Sequence, residues 1–161
     1  MACSRKRLNG ILPSMSQPAR IKVKCTHRYN VSPDRVFDTL MDPKKAKKFM
    51  FATLTGKMIK AEIDGKVGGG FVFIDRRPDG DAAHYGKYLT VERPSRVAFE
   101  FAVQKDAKES DRVTIDISPL PRGCQVTLTH EIKPDYAHLQ EQVHEGWDGI
   151  LDGLGAALRT E

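Results

Sequence analysis

Two hydrophobic periods divide this chain. From Ile21 to Tyr29 apolar and polar residues alternate, with Ile21, Val23, Cys25, His27 and Tyr29 on one face and Lys22, Lys24 and Arg28 on the other. Period two predicts a half-buried strand. The same alternation returns between Lys57 and Glu131. It runs through Ile59, Ala61 and Ile63, gives way to the apolar run Phe71-Val72-Phe73-Ile74, and strands follow at His84–Glu92, Val97–Val103, Val113–Ile117 and Cys124–Glu131. Gly65–Gly70, Pro78–Asp81, Pro94-Ser95 and Pro119–Gly123 are turn signals between these runs, and a charged tip spans Lys105–Asp111. Short links of this kind predict an antiparallel meander.

A helical period takes over in two places. Ser32-Pro33-Asp34 reads as N-cap, first helical position and acidic first turn, followed by Val36, Phe37, Leu40 and Met41 on the inward face. Asp42-Pro43 repeats the cap for a short second helix through Phe49. From Tyr136 to Arg159 the period is 3.6. Tyr136, Leu139, Val143, Trp147, Ile150, Leu154, Ala157 and Leu158 fall within an arc of about 100°, opposite Glu141, Glu145, Asp148 and Asp152. Such a helix would be roughly 35 Å long, enough to cross a sheet. Gly146, Gly149 and Gly153 flank the arc. Interior glycines cost about 0.5–1 kcal/mol each against alanine, so they predict close approach of sheet backbone or a ligand.

The order is therefore strand, two helices, six strands, long helix. A twisted seven-stranded sheet curls. One amphipathic helix laid in its concave side closes the core without having to fill it, so a cavity between sheet and helix is expected.

Composition refines this picture. The chain has 161 residues, 40% apolar and 29% charged, as expected of one globular domain. Its net charge of +5 is concentrated at the N-terminus: residues 1–24 hold six basic and no acidic side chains, leaving 20 Lys and Arg against 21 Asp and Glu in the remainder. A flexible basic tail over 1–19 and a domain over 20–161 follow, with Met1 and Met15 both candidate starts. A nearly neutral body argues against nucleic-acid binding. No apolar run has the length of a membrane span and no signal-peptide core is present, so no membrane insertion and a cytoplasmic location are expected. Cys3, Cys25 and Cys124 are odd in number and lack C-x-x-C spacing, which argues against a disulfide framework or a zinc site.

Candidate chemistry is sparse. His138 and His144 stand about 240° apart on a helix and cannot share a metal, so no metal and no cofactor are expected. There is no G-x-S-x-G elbow. The Gly65–Gly70 turn precedes a strand and lacks G-K-[ST], which excludes a phosphate loop. His130, in register with Val126 and Leu128, points to the concave face, where a neutral imidazole could move a proton or be hydrogen-bonded to structure. Tyr85 and Tyr88 lie on opposite strand faces, so at most one lines the cavity unless a bulge intervenes. Glu100 alternates outward. No catalytic residue is assigned.

Several segments resemble the START-like, or helix-grip (SRPBCC), superfamily, most closely domains like the C-terminal half of the activator of heat-shock-protein-90 ATPase. They are VSPDRVFDTLMDPKKAKKF, EIDGKVGGGFVF, HYGKYLTVERPSRVAFEF, RGCQVTLTHE and HEGWDGILDGLGAAL, in the expected order across residues 20–160. Where family members commonly carry tryptophans, this chain has Phe49 and Phe101. The resemblance implies an α+β helix-grip fold, a curved antiparallel sheet around the C-terminal helix. It implies a cavity for apolar or amphipathic molecules in some members, aromatic polyketide cyclisation in others, and a partner-protein contact in the chaperone activator.

The leading expectation is a non-catalytic module that binds a hydrophobic or amphipathic small molecule between sheet and helix. Its candidate contacts are Phe71, Phe73, Tyr88, Phe99 and Phe101 from the sheet's aromatic positions, and Ile115, Leu128, His130, Val143 and Trp147 around them. Two alternatives stand beside it: a cyclase- or dehydratase-like enzyme using His130 with a cavity tyrosine, and a chaperone-linked interaction protein using Lys44–Lys48. A homodimer is compatible with any of the three.

Overall fold

A computed structural model describes residues 19–160. Apart from Ala19, the expected basic tail lies outside the described residues. Strand β1 (Ile21–Tyr29) leads into helices α1 (Pro33–Met41) and α2 (Pro43–Ala46). Strands β2 (Lys57–Ile63), β3 (Gly70–Arg77), β4 (Gly80–Glu92), β5 (Arg96–Ala102), β6 (Asp111–Pro119) and β7 (Cys124–Ile132) follow. A 3₁₀ segment, Pro134–Leu139, precedes helix α3 (Gln140–Arg159). All seven strands form one antiparallel sheet in the order β1-β7-β6-β5-β4-β3-β2, the expected α+β helix-grip arrangement.

Local chemistry accounts for the element starts. The Ser32 hydroxyl accepts from the Arg35 amide at 3.3 Å and Pro33 opens α1. The Asp42 carboxylate accepts from the Lys44 amide at 2.9 Å and Pro43 opens α2. Helix α2 ends at Ala46, three residues before the expected Phe49, and the chain then turns as far as β2. Gly123, in the β6–β7 turn, has φ of +83° and lies so close to the Tyr29 carbonyl that a Cβ would sit 2.0 Å from it. Only glycine meets both conditions.

Alternation builds the core as rows across the sheet. One row runs Tyr88, Phe99, Val113, His130, Val23; the next includes Val97, Ile115, Leu128 and Cys25. Two bulges correct the simple period. In β4 the register shifts between Tyr88 and Thr90, which keeps both Tyr88 and Val91 on the inner side. In β2 the shift between Met58 and Lys60 turns Met58 inward and leaves Ile59 exposed, contrary to the expected inward Ile59. Strand β4 also begins at Gly80, before the expected His84. Val103 lies beyond the end of β5 and is exposed rather than inward.

Helix α3 closes the concave side, packing chiefly against β1 and the helical segment. It begins at Gln140, so Tyr136 is not on its apolar stripe and is 49% exposed. Leu151, absent from the expected arc, is 1% exposed and sits in the core beside Trp147, Leu154 and Leu158. The glycine flank also differs from expectation. Gly146 and Gly149 face open space, and only Gly153 is tightly approached, by Phe49 rather than by sheet backbone.

Candidate functional site

Strand alternation carries two polar side chains into the concave face next to the long helix. His130 lies on β7, in the row with Val113. Asp111 lies two residues before Val113 on β6, hence on the same face. The Asp111 Oδ2 is 3.0 Å from His130 Nε2, and Arg20 donates to Asp111 Oδ1 at 2.8 Å. From the other side, Trp147 Nε1–H donates to His130 Nδ1 at 2.9 Å. An indole nitrogen is a donor only, so Nδ1 must be the acceptor and Nε2 carries the hydrogen that goes to Asp111. Burial pushes the Asp111 carboxyl upward, but the hydrogen bond from His130 and the hydrogen bond and charge of Arg20 outweigh it and hold the group below the usual carboxylate range. The imidazole is 5% exposed with both nitrogens engaged. That is the arrangement of a histidine that fixes helix to sheet, with no lone pair left to take a substrate proton.

Above β3, β4 and β5 lies an aromatic layer. Phe71, Gly86 and Phe101 face one another across adjacent strands, and Phe73 pairs with His84. The ring of Phe51, from the segment after α2, rests flat on this layer. It stacks 4.2 Å from His84 at 5° and 5.3 Å from Phe101 at 4°, and meets Trp147 edge-on at 5.6 Å. Burial lowers the His84 pKa, outweighing its hydrogen bond to the Phe73 carbonyl. The Phe51 segment is tied down by Asp75, an aspartate 1% exposed. Asp75 Oδ2 accepts from Thr53 Oγ1 at 2.8 Å and from Arg77 Nε at 3.0 Å, and Arg77 also donates to the Phe51 carbonyl at 3.2 Å.

Two spaces remain. Inside the sheet–helix core a cavity of about 20 Å³ is lined by Leu40, Met41, Met50, Phe71, Phe73, Tyr88, Val97, Phe99 and Ile115. That holds about one water. At the open end, a cleft of about 660 Å³ lies between residues 101–111 and the start of the 3₁₀ segment, with Phe101, Val103, Lys108, Glu109, Lys133 and Tyr136 among its walls. Lys133 and Glu109 form an ion pair there.

The ten expected contact residues are thereby distributed. Phe71, Phe73, Tyr88, Phe99 and Ile115 line the small interior cavity. Leu128 is enclosed in the core, Val143 packs half-buried against it, and His130 and Trp147 are bonded to each other. Phe101 lines the open cleft. Asp111, Asp75 and Phe51 were not among the candidates. Asp111 continues the alternation of Val113, Ile115 and Ile117, and Asp75 that of Phe71 and Phe73, so both inward positions could have been read. Nothing in the period marks Phe51. Lys44, Lys47 and Lys48 are exposed, away from the cleft lining. Among the described residues no cluster of His, Cys, Asp or Glu could hold a metal. No helix there is long and apolar enough to cross a membrane.

The profile of the family described as Activator of Hsp90 ATPase homolog 1-like protein matches residues 30–159. The chain belongs to that family. Among solved structures, this member of the Hsp90 ATPase activator homolog 1-like family is similar to a protein from Nitrosomonas europaea with a TM-score of 0.75 and 21% identity, covering 86% of this chain and 94% of that one. An AHSA1-like protein from Aeromonas hydrophila gives a TM-score of 0.73 at 22% identity, over 87% of this chain and 93% of its own. A Chromobacterium violaceum protein gives 0.74 at 20%, over 85% and 96%. At these identities the likeness shows the helix-grip fold. No curated protein matches the chain.

Proposed function

We propose that this domain binds a small amphipathic molecule without transforming it, and that the ligand enters at the open cleft. The observation that carries the reading is the contrast between the two spaces. A cleft of about 660 Å³ falls within the range of roughly 300–1,000 Å³ used by small-molecule sites, whereas the enclosed interior holds about 20 Å³. Phe101, the exposed Val103 and the half-exposed Tyr136 offer apolar contact, and Lys108 offers a positive charge to a polar head. Acid–base catalysis draws less support, because a general base needs a free nitrogen and both nitrogens of His130 are engaged.

Two flat or flexible amphipathic probes, 2-naphthoate and decanoate, test this by NMR titration. Saturable shifts confined to the amides of Phe101, Val103, Ala107 and Tyr136 are expected, weakened at least fivefold in Val103→Asp. An absence of saturable shifts for both probes at millimolar concentration would overturn it.

A further inference from the structure

We infer that Phe51 is a displaceable plug, whose ring occupies the place that the apolar part of a ligand entering from the cleft would take. This rests on the cleft-binding reading and adds a moving part to it. Three observations carry it.

The first is position. Phe51 stacks on Phe101, which lines the cleft, and touches Phe71 and Phe73 (centroids 6.0 and 5.9 Å), which line the small interior cavity. Its ring lines neither space but touches rings that line each, one side chain away from both. On this proposal, withdrawing it from between His84, Phe101 and Trp147 opens a path from one to the other. An apolar void of roughly 150 Å³ is enough to take a benzene-sized group.

The second is attachment. Every other ring of this stack is carried by a strand or by α3 and cannot withdraw without breaking the sheet or the helix. Phe51 sits on a turn between α2 and β2, and hinging that turn breaks no ladder.

The third is poise. Phe51 has φ of +60°, a left-handed backbone conformation that is unfavourable for a bulky side chain. It is held there by side-chain contacts from outside the turn, Thr53 to Asp75 and Arg77 to the Phe51 carbonyl. On this proposal the strained turn, restrained by these two hydrogen bonds, has a second, open arrangement, and a ligand that stacks in place of the ring favours it.

The test uses 2-naphthoate on the full chain, read by the emission of Trp147, the one tryptophan of the sequence and a neighbour of the Phe51 ring. Thr53→Val loosens the turn without opening a cavity, and Phe51→Gly removes the ring while relieving the backbone. Naphthoate affinity should rise at least threefold in Thr53→Val and tenfold in Phe51→Gly, with Trp147 quenching in both. In the wild-type chain, saturating naphthoate should shift the His84 ring and Trp147 indole resonances as the stacked ring departs, a readout that holds even where a variant fails to fold. Cleft shifts with unchanged His84 and Trp147 signals would overturn the plug and leave cleft binding standing. Tighter binding in Phe51→Gly alone would also overturn it, because the new site would then be an engineered void. No binding of naphthoate to any of the three chains would overturn the plug, and the cleft reading falls with it if decanoate also fails to bind.

Discussion

Trp147 and His130 join the long helix to the last strand through one buried hydrogen bond, indole Nε1–H to imidazole Nδ1 at 2.9 Å. With Asp111 on Nε2, the tautomer is determined by its neighbours. Imidazole ¹⁵N shifts should show a pyridine-like Nδ1 and a pyrrole-like Nε2 for His130; the reverse pattern would refute the assignment. Trp147→Phe leaves a buried acceptor without a partner and should cost about 1–3 kcal/mol for that alone, measured by urea denaturation. In a double-mutant cycle with His130→Leu, a coupling of at least about 0.5 kcal/mol is expected. Strict additivity would mean that the bond contributes nothing specific.

His84 gives a pH dependence with a definite sign. Burial lowers its pKa in the folded chain, so the unfolded chain binds the proton more readily. The neutral ring's contribution to stability is therefore complete above the ordinary histidine value of about 6.5 and declines as pH falls toward the lower folded value. Stability of the wild type relative to His84→Phe, which keeps a ring against Phe51, should be flat above pH 7 and fall on acidification. A difference that grows on acidification would contradict the burial of His84.

Leu151 and Tyr136 exchange the roles that a single helical wheel assigns them. Leu151 is 1% exposed and Tyr136 49%. Leu151→Ala should cost about 2–5 kcal/mol, and Tyr136→Ala no more than about 0.5 kcal/mol in thermal or urea unfolding, while weakening probe binding at the cleft. Comparable losses from both would restore Tyr136 to the core.

The fold was legible because periodicity is a strong signal over long segments. The strand rows, the capped short helices and the closing helix all follow from residues that alternate or recur. What escaped was local geometry. The bulge at Met58/Lys60 turns Ile59 outward, and the 3₁₀ segment unwinds the helix before Gln140, so extending one period across either point misplaces Ile59 and Tyr136. The site was less legible than the fold. Inward Asp111 and Asp75 break a hydrophobic rule while obeying the strand period; their partners Arg20 and Thr53 lie on other segments, and Arg77 stands two residues along the strand of Asp75. Phe51 belongs to no period at all; its place follows from tertiary packing alone.

The glycines of the long helix separate two physical roles within one turn of sequence. At Gly149 a Cβ would meet nothing within 4 Å, so alanine there reduces the freedom of the unfolded chain without a steric penalty. Gly149→Ala should stabilise the protein by about 0.5–1 kcal/mol. At Gly153 a Cβ would stand 2.7 Å from the Cβ of Phe49, a buried residue on the turn that also carries Phe51. That contact cannot relax by rotating a flexible side-chain end, because the Phe49 Cβ is fixed to its backbone. Gly153→Ala should therefore destabilise by about 1–3 kcal/mol through overpacking, despite its gain in helix propensity. Paired thermal melts give opposite shifts in Tm if Phe49 packs on the helix as described, and equal upward shifts if the turn stands clear of it.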